Sequence, residues 1–133
     1  MADRVTCRTL GGHVVEATNG TSTVRLDLPV AEGGPGTAMG PHETLLAALG
    51  GCTAMTLQVY AARKQWPLQG VELVLTREKA AVGVPEAKER LVVEVKPLGP
   101  LDDAQRQKLL EIAQKCPVYR TLTSDLDVVE RLA

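Results

Sequence analysis

Apolar and polar residues alternate along several stretches of this chain and fill the faces of two others at helical spacing. Val24, Leu26 and Leu28 alternate with Thr23, Arg25 and Asp27, the period of two expected of a half-buried strand. The Asn19-Gly20 dipeptide lies between residues 13–17 and 22–28 and predicts a hairpin, because both central positions of a type I′ turn need positive φ. Residues 4–10 add a strand before that hairpin, with Gly11-Gly12 as the turn. Residues 71–78 and 90–97 alternate again and predict a second pair of strands around the 80–89 connection. Leu126, Val128 and Val129 predict a last strand over 125–130.

The longest apolar stretch opens at Pro41, which suits the first position of a helix, where its missing N–H costs nothing. Glu43 then falls in the first turn, at the positive end of the dipole. The helix runs to about Lys64 or Gln65, where Trp66-Pro67 ends it. It is apolar nearly all round, which predicts burial on most sides. Gly50, Gly51, Thr53, Thr56 and Gln58 interrupt it, so it reads as a buried helix of a soluble protein rather than a membrane span of about 20 apolar residues. Two mid-helix glycines cost about 1 kcal/mol each relative to alanine. Close approach of another backbone, as from a second subunit, accounts for that cost. Asp102 followed by Gln105 forms a capping box ahead of Leu109, Leu110, Ile112 and Ala113. Cys116-Pro117 ends this second helix. The resulting order, βββ-α-ββ-α-β, is an α+β fold with helices packed on antiparallel sheet.

Composition narrows the function. At 133 residues the chain has room for one domain, residues 1–133. Lys and Arg number 15 against 16 Asp and Glu, and aromatic residues make up 2% with no Phe. Phosphate-tracking proteins carry a basic surplus, and base-stacking platforms need exposed aromatics, so no nucleic-acid partner is expected. The N-terminal residues predict no secretory signal and nothing predicts a membrane partner. Three cysteines, Cys7, Cys52 and Cys116, are too few and too odd for a disulfide framework, and read as reduced thiols of a cytoplasmic protein. His13 and His42 lie at no zinc-ligand spacing from them, and neither a metal nor a cofactor is called for. Gly33-Gly34-Pro35-Gly36 lacks the Lys-Ser/Thr ending of a phosphate loop and reads as a flexible connector.

Chemistry therefore rests on the thiols. Cys52 sits in the third turn of the apolar helix among small residues, where free cysteine packs equally well as a small hydrophobe. The helix dipole offers it little at that depth. Cys116 is placed differently: if Pro117 begins a short helix through Thr121, Cys116 becomes its N-cap. Exposed N–H groups lower the pKa of a thiol there, and the Arg120 guanidinium would add to that. Closing the second helix is the structural alternative for Cys116. Cys7 has no motif around it and reads as structural.

Two segments, Gly40-Pro41-His42-Glu43-Thr44-Leu45-Leu46-Ala47-Ala48-Leu49-Gly50-Gly51-Cys52-Thr53-Ala54-Met55 and Lys115-Cys116-Pro117-Val118-Tyr119-Arg120-Thr121-Leu122, resemble the two cysteine motifs of the OsmC/Ohr family, the osmotically inducible and organic hydroperoxide resistance proteins. The likeness covers almost the whole chain, with the two cysteines 64 positions apart. It implies an OsmC-like fold in an intertwined homodimer with the cysteine helices central. It also implies a thiol peroxidase acting in oxidative stress defence. Cys52 would attack an organic hydroperoxide as a thiolate and become a sulfenic acid. Cys116 would condense with it to a disulfide, and an external dithiol would reset the pair.

The sequence also departs from the family. There a Glu follows the helix-opening Pro and pairs with an Arg from the N-terminal hairpin that stabilises the reactive thiolate. Here His42 follows Pro41, and the carboxylate comes one place later at Glu43. One helical step turns a side chain by about 100°, so Glu43 does not take over that geometry. The hairpin position for Arg falls near Leu10, with Arg4, Arg8 and Arg25 elsewhere. His42, Glu43 and Arg120 stand as candidate supporting residues beside Cys52 and Cys116. The alternative to a peroxidase is a non-catalytic OsmC-like dimer that binds an apolar small molecule, its cysteines structural or regulatory. An unrelated structural dimer with buried thiols is a third reading.

Overall fold

The structure, a computed structural model, describes residues 3–84 and 88–133. The chain divides into two compact units, one ending at Leu45 and the other beginning at Leu46, and the boundary falls within α1 (Pro41–Lys64).

In the first unit β1 (Thr6–Gly11), β2 (Val14–Thr18) and β3 (Thr23–Leu26) form an antiparallel sheet in that order. The hairpin expected at Asn19-Gly20 is present, with Thr18 opposite Thr23, but its turn is not type I′. Only Gly20 takes positive φ. Asn19 instead uses its side chain, whose Oδ1 accepts from the Thr21 and Ser22 amides at 3.0 and 2.8 Å. Its short side chain thus closes the turn in place of a left-handed backbone.

The alternation in this strand also misplaces one residue. Asp27, expected on the polar face, is buried, while Val24 is exposed. Strand β3 stops at Leu26, so the chain leaves the sheet just before Asp27 and the period of two no longer applies. The Asp27 carboxylate accepts from the Leu28 amide (2.8 Å), the Thr37 amide (2.9 Å) and the Thr37 hydroxyl (2.5 Å). The segment it holds contains the glycine-rich stretch read as a flexible connector. That stretch is instead a built loop: a 3-10 turn over Val30–Glu32, then Gly34 N–H on Pro29 O and Gly36 N–H on Leu28 O. A Cβ on Gly34 would lie 2.1 Å from the Leu28 carbonyl oxygen. The loop delivers the chain to Gly40, whose N–H is bonded by the Glu43 side chain at 2.9 Å, half of a capping box at the start of α1.

In the second unit α1 continues and ends on Gln65, the one non-glycine residue with positive φ among the described residues, with Trp66 N–H closing on Ala61 O. The strands β4 (Gly70–Glu78) and β5 (Arg90–Leu98) pair antiparallel in unbroken register from Gly70↔Leu98 to Glu78↔Arg90. Part of the connection expected at 80–89 lies outside the described residues. Helix α2 (Asp103–Ala113) carries the expected capping box, with Asp102 accepting from Gln105 N–H and the Gln105 side chain accepting from Asp102 N–H. Helix α3 (Pro117–Thr123) follows with Cys116 as its N-cap, as the Cys-Pro pair predicts.

The strand expected over 125–130 does not form. That stretch has no regular structure, and Leu126, Val128 and Val129 are exposed. An extended segment needs a neighbouring strand for its ladder, and none lies beside it among the described residues. The architecture is thus α+β, with two antiparallel sheets and three helices.

The core of the second unit is Leu57, Leu109 and Ile112, joined by Tyr60, Trp66, Leu68, Val71 and Val95. Tyr60 and Trp66 meet edge to face, ring centres 5.5 Å apart. With no Phe in the chain, these two rings supply what aromatic mass the core has.

Candidate functional site

Helix α1 is buried along one stripe, Leu49, Gly50, Thr53, Leu57 and Ala61, and not on most sides as its composition suggests. Its other apolar residues remain open, with Met55 66% and Val59 51% exposed. It is long and apolar enough to cross a membrane, but the stripe packs on its own chain as in a core helix. Gly50 is explained within the chain: a Cβ there would lie 2.7 Å from Leu75 Cδ1, so a side chain rather than another backbone makes the close approach. A Cβ on Gly51 would meet nothing within 4 Å.

The open face of α1 borders a cavity of about 920 Å³. Gly51, Cys52, Met55 and Val59 line it from α1, with Ile112 and Pro117 completing the apolar wall; Arg63 and Lys115 are its charged residues. Cys52 is half-buried and Cys116 fully buried. The fold brings the two together, near enough that each thiol shifts the titration of the other. Two residues 64 positions apart meet because α3 starts where α2 ends, which returns Cys116 to the middle of α1 beside Cys52.

The two thiols experience opposite environments. Burial pushes the Cys52 thiol up, and its hydrogen bond with Cys116 pushes it further. Burial acts upward on Cys116 too. Yet its hydrogen bonds with the Cys52 thiol, the Tyr119 amide, the Thr53 hydroxyl and the Val118 amide outweigh burial and hold it below the ordinary thiol value. Tyr119 N–H donates to Cys116 Sγ at 3.5 Å. The lowering of Cys116 is the direction expected of a thiol at a helix N-cap, whereas the family resemblance assigns the reactive thiolate to Cys52.

The supporting candidates fall elsewhere. His42 is exposed in the first turn of α1, and the Glu43 carboxylate is engaged by the Gly40 amide. Arg120 is exposed in the last turn of α3, and the groups that lower Cys116 are neutral donors. In the N-terminal hairpin Arg8 bonds Glu16 at 3.5 Å. Cys7 is exposed on β1, opposite Ala17. The residue that sequence reasoning passed over is Thr53, seen there only as a polar break in an apolar run. In the structure it is buried, its hydroxyl donating to the Leu49 carbonyl at 2.9 Å.

The family model for OsmC-like proteins matches residues 34–131, and the chain belongs to that family. No curated protein sequence matches it. Its fold is similar to that of an OsmC-like protein from Mycoplasma pneumoniae (TM-score 0.79, 16% identity, covering 94% of this chain and 89% of that one). It is also similar to an organic hydroperoxide resistance protein, OsmC, from Legionella pneumophila (TM-score 0.66, 21% identity, 93% and 92%). A third similar structure is the organic hydroperoxide resistance protein of Bacillus subtilis (TM-score 0.59, 18% identity, 96% and 94%).

Proposed function

We propose that this chain is a cytoplasmic, single-domain thiol peroxidase that reduces organic hydroperoxides. One observation carries the reading: two neighbouring cysteines that shift each other's titration, of which one, Cys52, lines an apolar cavity large enough for an organic group. Cys52 attacks the hydroperoxide from the cavity and becomes a sulfenic acid; Cys116 condenses with it, and an external dithiol reduces the disulfide. The names of the Legionella and Bacillus proteins support the substrate class. The exposed apolar face of α1 supports a homodimer, since a second copy would cover Met55 and Val59.

The test is consumption of cumene hydroperoxide with dithiothreitol, followed by mass spectrometry of the thiols after one equivalent of peroxide. Wild type should turn over and form a Cys52–Cys116 disulfide, and Cys52→Ser should do neither. A wild type no faster than a cysteine-free variant would rule the cycle out. A second reading, an OsmC-like dimer that binds an apolar molecule without turnover, is favoured by one observation: the carboxylate nearest the family's activating position, Glu43, is engaged at the helix start. Saturable binding of an apolar probe with no peroxide loss would establish it.

A further inference from the structure

We propose that Asn19 is a self-modifying site. The turn that joins β2 to β3 promotes attack of the Gly20 nitrogen on the Asn19 side-chain amide, which becomes aspartate and isoaspartate faster than it would in the unfolded chain. Thiol chemistry plays no part in it.

Asn19 and Gly20 open the loop between Thr18 and Thr23, which face each other across the two strands. Residues 19–22 are exposed, so water and base reach them. Asn19 Oδ1 is held by the Thr21 amide at 3.0 Å, the Thr21 hydroxyl at 3.0 Å and the Ser22 amide at 2.8 Å. At rest these donors bond a neutral carbonyl oxygen. When a nucleophile adds to Asn19 Cγ, that oxygen becomes an oxyanion among the same donors, and bonds to an ionised acceptor are about twice as strong. Donors already in place where charge develops are what lowers the barrier of acyl transfer. The nucleophile is the next residue's nitrogen. Gly20 N–H donates to Thr18 Oγ1 at 3.0 Å, so its proton is directed at a hydroxyl and not at the Asn19 carboxamide. Gly20 takes φ +101° with nothing within 4 Å of where a Cβ would stand, which leaves room for a succinimide ring to close.

In this reaction a base from solvent removes the Gly20 N–H proton and the nitrogen attacks Asn19 Cγ. The N–Cγ bond forms, and the carbonyl electron pair moves onto Oδ1. As that pair returns, the Cγ–Nδ2 bond breaks and the nitrogen leaves as ammonia, with a proton from water. Water then opens the succinimide at either carbonyl. Breaking the new N–Cγ bond gives aspartate. Breaking the original peptide bond leaves the backbone running through Cγ, as isoaspartate. The sum is amide and water to acid and ammonia, with nothing oxidised or reduced. Aspartate keeps all three donors and adds one negative charge to a chain of formal net charge −1. Isoaspartate lengthens the turn by a methylene, which works against the Thr18↔Thr23 register, so its accumulation should loosen the hairpin.

The test incubates the whole protein at mildly alkaline pH and follows position 19 by peptide mass spectrometry that separates aspartate from isoaspartate. Wild type, Thr21→Val and Thr21→Ser are each compared folded and in guanidinium chloride, and each folded rate is taken relative to the same chain in denaturant. Folded wild type should convert faster than its denatured chain. Thr21→Val loses the hydroxyl donor and keeps the amide. It should slow the folded reaction by about tenfold, the size of one hydrogen bond to a charged group, and Thr21→Ser should restore it. A folded wild type that converts no faster than the denatured chain would mean that the turn shields Asn19, and a folded Thr21→Val as fast as wild type would mean that the hydroxyl stabilises no oxyanion. Either result overturns the proposal. The folded-to-denatured ratio of wild type decides the matter even if Thr21→Val does not fold.

Discussion

Two residues on α1, Met55 and Leu57, separate what the helix does within one chain from what it does between two. Leu57 is wholly buried in the core with Leu109 and Ile112. Truncating it to alanine should cost about 2 to 5 kcal/mol, transfer and cavity terms together, in whatever assembly the protein adopts. Met55 lies on the opposite face and is 66% exposed. A fully buried methionine contributes about 1.5 to 3 kcal/mol, so the third of it covered within the chain is worth roughly 0.5 to 1 kcal/mol. If a second copy covers α1, the remaining two thirds add roughly 1 to 2 kcal/mol per protomer. In a twofold-symmetric dimer that term counts twice, so Met55→Ala should weaken self-association by roughly 30- to 700-fold. Denaturant unfolding measures the first quantity and sedimentation velocity over a dilution series the second. Leu57→Ala should lose stability at every concentration. Met55→Ala should lose only about 0.5 to 1 kcal/mol within the chain and dissociate on dilution. A wild type that sediments as a monomer at micromolar concentration, or a Met55→Ala protein with unchanged association, refutes the claim that a second copy covers this face.

Two further changes probe the framework. Gly99 takes φ +129° and a Cβ there would lie 2.2 Å from the Pro67 carbonyl oxygen, so Gly99→Ala must move backbone. It should cost about 3 kcal/mol and lower Tm by roughly 10 °C, and a Tm within about 2 °C of wild type would contradict the contact. The Asp27 carboxyl is held below its ordinary value by the Thr37 hydroxyl and amide, against a desolvation that acts the other way. A depressed carboxyl stabilises the fold above its unfolded pKa, and that contribution is lost as pH falls through the lower folded value. The Thr37 amide resonance should therefore hold its folded position through the ordinary Asp range and move only below it. A transition at or above that range would be inconsistent with this account.

Local rules carried the sequence reading a long way. Pro41, the Asp102–Gln105 box and Cys116-Pro117 each mark a helix start by chemistry confined to a few residues, and each helix begins there. The alternation in 71–78 and 90–97 translates into β4 and β5 because each strand has the other as partner. The same alternation fails at 125–130, where period two is present but no strand lies alongside. It fails at Asp27 because burial there follows from a loop folding back through Thr37, ten residues on. The candidate site divides in the same way. Cys116 as an N-cap is a local reading and stands. The approach of Cys52 and Cys116 joins residues far apart in the chain, and no spacing rule announces it.

The full burial of Cys116 beside the half-open Cys52 also sets a direction for the return half of a redox cycle. In a disulfide between them, only the Cys52 sulfur would be within reach of an incoming thiol. Exchange is fastest when the departing sulfur is the more acidic one. The hydrogen bonds that lower Cys116 would thus make it the leaving group, and the reductant's mixed disulfide would form on Cys52 alone. A single-cysteine reductant should trap that adduct at Cys52, and an adduct at Cys116 would contradict this directionality.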